Sequence, residues 1–457
     1  MRPALLVREL AGLVGAANVL AEPPAHYLHD ATETRGLRGQ ADAVVLPGTT
    51  AEVAAVLAWC YRHDMPVIPR GGGTGYAGGA VPLSGGVLVS LERLSQVRSF
   101  EPLLWRCCVE AGVHTAEVRC LARERGLLFP PDPGAAEQSQ IGGNIATNAG
   151  GPHALKYGVT RAWVLALEVV VPPGDVILLG GPLRKDVAGY DLTGLLAGSE
   201  GTLGIVTAAW LRLLPAPEVA LPVAAFYRDS RSGCDAIESV LGNGLVVAAL
   251  EYLDAVALEA AGPALATPVP GGAEFLVLAD ADGSEREAAR LRAEVLDVLG
   301  DQALAVYAPT EPRAISDLWR WREGVSIAVT ARRGGKASED IVVPLERLAE
   351  AIEETVAIGR RYALEACSWG HAGDGNLHST FLVDHRSEDE LMRAGRACEE
   401  VFDLAERLGG SISGEHGVGW VKRGRVAAHW APRVLDLHAE IKRAFDPKGL
   451  LNPGKKV

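Results

Sequence analysis

Two short glycine-flanked segments hold a dense group of reactive side chains. One runs Gly370-His371-Ala372-Gly373-Asp374-Gly375-Asn376-Leu377-His378, and the other Ser413-Gly414-Glu415-His416-Gly417. Of the chain's 11 histidines, three fall here beside a glutamate. Two imidazoles and one carboxylate, His371, His378 and Glu415, form a ligand set for a divalent metal that leaves coordination positions open to a substrate. His416 adjoins that carboxylate and suits a general base, because an unperturbed imidazole titrates near neutral pH. The competing reading makes His371 and His378 polar residues at the ends of a turn, satisfied by backbone. The second acid-and-imidazole segment, and the glycines on both sides, count against it.

Composition bounds what such a centre can act on. At 457 residues the chain has room for two or three domains. It is 48% hydrophobic with a mean hydropathy of +0.13, yet no apolar stretch reaches the roughly 20 residues that span a bilayer. The stretch Ala4 to Leu20 is interrupted by Arg8 and Glu9 and lacks a small-residue cleavage site. It reads as an amphipathic helix rather than a signal peptide. A net charge of -13 argues against nucleic acid or anionic lipid as the main partner. Seven cysteines without a CxxC pair fit a reducing cytoplasm, and Cys107-Cys108 in an apolar run reads as core packing. The same set offers no iron–sulfur site, so any such cluster belongs to a partner. The expected location is cytoplasmic, with contact at the inner membrane face made through a partner.

Two rhythms of elements must position these side chains. Strands are expected at Ala43-Leu46, Pro66-Pro69, Val87-Leu91, Trp105-Ala111, Leu165-Val171 and Gly204-Leu214, with a capping box at Thr49-Thr50-Ala51-Glu52 opening a helix to about His63. Pro215-Ala216-Pro217 marks a boundary. Beyond it, Leu221-Tyr227, Arg231-Leu241, Val246-Leu253, Glu274-Ala281, Ser284-Leu299 and Ala303-Tyr307 read β-α-β-β-α-β, the ferredoxin-like order. Longer helices with two or three strands follow, then a helical tail from about Val421 to Phe445.

Glycine is concentrated in three segments of the first part. Pro69-Arg70-Gly71-Gly72-Gly73-Thr74-Gly75-Tyr76-Ala77-Gly78-Gly79 contains GxGxxG from Gly73 to Gly78, with Glu92 beyond. A dinucleotide-binding Rossmann turn must open a helix, and Pro82, Gly85 and Gly86 forbid one. An anion-lining loop is the better account. The second segment is Ile141 to Gly151, preceded by Pro131-Asp132-Pro133-Gly134, and the third Gly198-Ser199-Glu200-Gly201-Thr202-Leu203-Gly204-Ile205-Val206. The amides and hydroxyls of the second suit a polar heterocycle or ribityl chain.

Six motifs then stand in order between about Asp42 and Lys455: PRGGGTGYAGGAVP, IGGNIATNAGG, GYDLTGLLAGSEGTLGIVT, GHAGDGNLH, SGEHGVGWVKR and LNPGK. The chain resembles the FAD-binding flavoproteins of the vanillyl-alcohol oxidase and p-cresol methylhydroxylase type. Within them it is similar to the D-lactate dehydrogenase and glycolate oxidase flavin-subunit branch. Two positions depart from the pattern: Ser139-Gln140 precede IGGN where Cys-Thr or similar is common, and Asp186 follows Lys185 where asparagine is usual.

The resemblance implies an α+β chain. A two-subdomain FAD-binding domain of the p-cresol methylhydroxylase type would cover residues 1–215, and a ferredoxin-like antiparallel cap domain would cover 216–410. A C-terminal segment, 411–457, would return to the flavin site. It implies that Arg70, Gly71, Gly72, Gly73, Thr74, Gly75 and Gly78 wrap the FAD pyrophosphate. Gly142, Gly143, Asn144, Thr147 and Asn148 would lie along the flavin, and Pro131 would be a further cofactor-binding residue. Glu200, Gly201, Gly204 and Ile205 would line the ribityl or adenine side, and Asn452 the isoalloxazine region. Thr74 stands where some relatives carry a histidine bonded to the flavin, so FAD is expected to be non-covalent. His371, His378 and Glu415 would bind zinc or manganese.

A 2-hydroxy acid can chelate such an ion through its hydroxyl and one carboxylate oxygen, which lowers the hydroxyl pKa. His416 would take that proton, the C2 hydrogen would pass as hydride to flavin N5, and electrons would leave to a quinone, cytochrome or partner subunit. Arg322, in Trp319-Arg320-Trp321-Arg322-Glu323, matches the family's substrate arginine better than Arg320, and Lys336 is a second cation for the substrate carboxylate. The expected activity is oxidation of a D-2-hydroxy acid of the D-lactate or glycolate class. The alternatives are a D-2-hydroxyglutarate dehydrogenase and a non-catalytic FAD-holding subunit of a larger oxidase complex. A homodimer is compatible with all of these.

Overall fold

The computed structural model describes residues 3–32 and 36–456; residues 1, 2 and 457, the outer ends of the expected first and last domains, lie outside them. The chain forms two compact units. One comprises Met1–Gly150, Val159–Ala216 and Glu415–Val457, and the other Gly151–Gly158 and Pro217–Gly414.

The first unit contains a four-stranded sheet in the order Val19–Leu20, Ala43–Val45, Val87–Ser90, Val67–Arg70. Ala43–Val45 and Val67–Arg70 both run parallel to Val87–Ser90. Helix Thr50–Arg62 makes the crossover, packing Val53, Val56 and Leu57 into the core of this sheet. Thr49 caps it by accepting from Glu52 N, while the Glu52 carboxylate turns back to Gly48 N at 2.6 Å, one residue earlier than the expected capping box requires. No helix follows the glycine run: among the described residues, 71–86 form bends and turns. The expected N-terminal helix to Leu20 stops at Val14, because Gly15 adopts φ +86° and Val19–Leu20 pairs with Val44 and Val45 as a strand.

A five-stranded antiparallel sheet completes the frame, in the order Val97–Glu101, Arg106–Glu110, Ile205–Arg212, Val164–Val171, Asp175–Gly180. Cys107 and Cys108 are both buried in its second strand. The tail is not one helix. Val426–His429 and Pro432–Phe445 are separate, since Trp430 and Ala431 are extended before Pro432, which opens the second helix at its first position.

The second unit is built on a seven-stranded antiparallel sheet. Its order is Ala305–Tyr307, Val219–Tyr227, Phe275–Gly283, Ala249–Leu253, Glu365–His371, Asn376–Val383, Gly335–Val342. The first four strands in that list have the ferredoxin-like arrangement expected, and the later three extend it. Period-two alternation divides its faces. Leu250, Tyr252, Val277, Ala366 and Phe381 pack with helices Ser230–Gly242, Leu348–Arg361 and Glu388–Arg407. Leu253, Leu278, Cys367, Trp369 and Leu382 face the other way, with helices Ala255–Ala261, Pro312–Glu323 and Val325–Arg333.

Candidate active site

The second face is apolar toward one end of its strands and polar toward the other, and the polar part holds the histidines. Residues 367, 369 and 371 share a face by alternation, so His371 ends a strand whose Cys367 and Trp369 are core. His378 lies on the next strand opposite Trp369, and Asp340 lies opposite His378 on the one after. A hairpin closed by residues 372–375 therefore brings His371 and His378 together. Their rings are 5.5 Å apart and edge-on, and each offers a ring nitrogen within 4.8 Å of the other's.

Glu251, directly opposite His371 in the sheet, carries the second layer of the site. It is fully buried. Its Oε1 lies 2.7 Å from His371 Nδ1, and its Oε2 accepts from Arg322 Nη2 at 2.5 Å. Burial pushes the Glu251 carboxyl up, but the facing His371 and Arg322 outweigh that and hold it below the ordinary carboxylate range. A carboxylate on Nδ1 selects the tautomer that keeps the lone pair on Nε2, the arrangement common behind metal-ligating histidines. Arg322 sits near the end of helix Pro312–Glu323, itself buried, and its Nε has no acceptor among the described residues. Lys336 stands apart, donating to Ser326 O at 3.1 Å with its ammonium 5.0 Å from the Trp369 ring centre; burial pushes it down to about 8.

Asp340 anchors the second motif. Fully buried, it accepts from Asn376 Nδ2 at 2.6 Å, Ser413 Oγ at 3.0 Å and Gly414 N at 2.9 Å. Glu415 is the next residue after Gly414, so its backbone starts one peptide from that anchor. Within the first unit, a Cβ at Gly150 would fall 2.7 Å from Glu415 Oε2, and the His416 ring stacks on Tyr76 at 4.6 Å.

The residues expected to hold FAD gather in the first unit. The glycine loop passes so close to residues 138–143 that a Cβ on Gly72 would meet Gln138 O at 2.1 Å. Ile141–Thr147 is a short helix, where the sequence suggested only small polar residues, and its Gly142 packs against Ala111 too closely for a side chain. Asn144 Nδ2 donates to Thr115 Oγ1, Thr147 Oγ1 to Gly143 O, and Asn148 caps the helix at φ +54°. Arg70 donates to the carbonyls of His26 and His29, tying the 26–29 segment to the loop. Glu200, at φ +54°, accepts from Val418 N and Gly419 N. Asn452 Nδ2 reaches both Gly79 O at 3.0 Å and Glu200 O at 2.8 Å, and Lys455 donates to Gly79 O, Val81 O and Asn452 Oδ1. Thr74 and Gly75 lie in the loop, Pro131 is buried, and Gly201, Gly204 and Ile205 lead into strand Ile205–Arg212.

Comparison with known sequences gives this frame its family. Residues 216–456 match the family described as FAD linked oxidases, C-terminal domain, and residues 41–180 match the FAD binding domain. The chain belongs to the FAD-linked oxidases. The chain is 37% identical over 433 residues to glycolate oxidase subunit GlcD of Bacillus subtilis (strain 168), covering 94% of this chain and 91% of that one. It is 32% identical over 438 residues to D-lactate dehydrogenase of Anaerostipes hadrus, covering 94% and 92%. A solved structure of p-cresol methylhydroxylase with substrate bound superposes at a TM-score of 0.79, with 19% identity over 99% of this chain and 96% of that one, so the fold is shared.

Glu251, Asp340 and Tyr76 do not stand out in the sequence as members of the site. The available signal for Glu251 was a lone acid inside the apolar run Val246-Val247-Ala248-Ala249-Leu250-Glu251-Tyr252-Leu253, since a charge at such a position must find a partner. No local pattern names the partner, because His371 lies 120 residues away.

Proposed function

We propose that this chain uses its FAD to oxidise a D-2-hydroxy acid of the glycolate or D-lactate class to the 2-oxo acid, with help from a divalent metal. The pairing of His371 and His378 on facing strands, backed by the Glu251 carboxylate, carries this reading. When bound, FAD supplies the two-electron acceptor, and zinc or manganese on His371, His378 and Glu415 supplies a Lewis acid for the substrate hydroxyl. The donor set fits: imidazole and carboxylate suit either ion, and the Glu251 contact leaves His371 Nε2 with its lone pair.

The chain's own groups then have separate tasks. His416, held face to face with Tyr76, takes the proton of the C2 hydroxyl. Arg322 presents a buried Nε that lacks an acceptor, and a substrate carboxylate oxygen satisfies it. Lys336 adds a second positive charge on the same face. FAD is held without a covalent bond, since Thr74 occupies the loop position where a histidine would make one. Electrons leave to a quinone, a cytochrome or a partner subunit; the name of the Bacillus relative, a subunit, supports the last. No helix among the described residues is long and apolar enough to cross a membrane.

The test is anaerobic mixing of the purified yellow protein with D-lactate, L-lactate, glycolate and D-2-hydroxyglutarate while the visible flavin band is followed. Bleaching by one acid, lost after chelation, is the expected result. Bound FAD and metal with no bleaching by any acid would sink the substrate class and favour a non-catalytic FAD-holding subunit.

A further inference from the structure

The Glu251 carboxylate contacts two groups with different tasks, and that is unusual for a buried charge. A carboxylate removed from water costs several kcal/mol unless both oxygens are engaged. Here each oxygen meets a different partner: Oε1 meets His371 Nδ1 at 2.7 Å, and Oε2 meets Arg322 Nη2 at 2.5 Å. The three residues come from three elements, strand Ala249–Leu253, strand Glu365–His371 and helix Pro312–Glu323. Both carboxylate oxygens of Glu251 are thus engaged, each by a different element.

We propose that Glu251 is a positioning residue that sets the metal-ligating nitrogen of His371 and the guanidinium of Arg322 in a single geometry. This rests on the functional reading above. A 2-hydroxy acid carries its hydroxyl and its carboxylate on adjacent carbons, so the ion and the arginine must keep a fixed spacing to engage both. Fixing the imidazole and the guanidinium to one carboxylate keeps that spacing. The contact with Nδ1 fixes the tautomer and raises the basicity of Nε2. The contact with Nη2 orients the planar guanidinium, so that its buried Nε is aimed by the same group.

The experiment uses the full chain loaded with FAD. Metal affinity is measured by competition between Mn²⁺ or Zn²⁺ and a chelator, beside steady-state kinetics with the acid that bleaches the flavin. Glu251→Gln is expected to weaken metal binding roughly 10–100-fold and to raise KM, while the flavin spectrum is unchanged. Glu251→Asp, one methylene shorter, reaches only one partner and is expected to lose one of the two affinities. A Glu251→Gln protein with unchanged metal affinity and KM overturns the proposal. A third readout, on the unaltered chain, does not depend on either variant folding. With ¹⁵N-labelled histidine and ¹¹³Cd²⁺, the His371 coupling is expected on Nε2, and coupling on Nδ1 overturns the proposal. If the unaltered chain binds no divalent ion at all, the functional reading fails and this inference with it. If it binds the ion and Glu251 proves indifferent, only the inference fails.

Discussion

His416 is the base of the proposed reaction, and its ring stacks on Tyr76 at 4.6 Å. His416→Gln is expected to slow flavin reduction by roughly 10²–10⁴-fold, the usual contribution of a general base, with FAD content unchanged. Tyr76→Phe preserves the stack and should leave the rate within a few-fold. Stopped-flow reduction measures both, and an unimpaired His416→Gln enzyme would remove it from the mechanism. Lys336 gives the pH dependence. Burial pushes its ammonium down to about 8, against about 10.4 in an unfolded chain. Below 8 it is charged in both states and available to a carboxylate; above 8 the folded protein loses that charge first. The KM for the acid is therefore expected to rise as pH passes through about 8, and Lys336→Arg, which stays charged, should remove the rise. Stability has the opposite sign. Between 8 and 10.4 the unfolded chain binds more protons, so folding becomes more favourable as pH increases. A pH-independent KM in the unaltered enzyme would exclude Lys336 from the substrate.

Elements place these residues, and Asp254 shows how. It caps helix Ala255–Ala261 through Ala257 N and accepts from Ser368 N at 2.6 Å, so one buried side chain joins that helix to the strand ending in His371. Asp254→Ala strands two buried donors at about 1–3 kcal/mol each. It should lower the Tm by several degrees and weaken metal binding, and an unchanged Tm would contradict the bridging role. Such links explain which parts of the fold were legible in the sequence. Strand Phe275–Gly283 and the capping box of helix Glu285–Gly300 carry their own signals, in apolar runs and in Ser284 with Glu287. The histidine motif was legible as chemistry because glycine flanked it. The register that sets Trp369 opposite His378 follows from the short hairpin turn, whereas the partners of Glu251 and Asp340 lie on segments distant in sequence, which no local pattern encodes. Helix Ile141–Thr147 was missed for a different reason: two glycines make it a poor helix by propensity, and close packing on Ala111 compensates.

At the scale of the molecule, the residues assigned to FAD belong to the first unit, whereas His371, His378, Arg322 and Glu251 belong to the second and Glu415, alone of the metal candidates, to the first. With two of the three candidate ligands outside the unit that carries the FAD residues, cofactor and metal should be separable in loading. Chelation is expected to abolish flavin reduction while the protein stays yellow, because the contacts that tie the glycine loop to Gln138, His26, His29 and Asn452 do not run through the histidine pair. The converse runs through Asn452. Its amide satisfies Gly79 O and Glu200 O together and shares Lys455 with them. Asn452→Ala takes its donor from Glu200 O, while Gly79 O keeps Lys455 and Lys455 keeps Gly79 O and Val81 O. At about 1–3 kcal/mol for that one stranded carbonyl, FAD affinity should fall roughly 5–150-fold. Metal affinity of the same variant should stay within a factor of two. Measured side by side, FAD content by absorbance and metal by competition distinguish two independently assembled half-sites from one. A chelator that also released the flavin, or an Asn452→Ala protein that lost metal with its FAD, would mean that the two sites load as one.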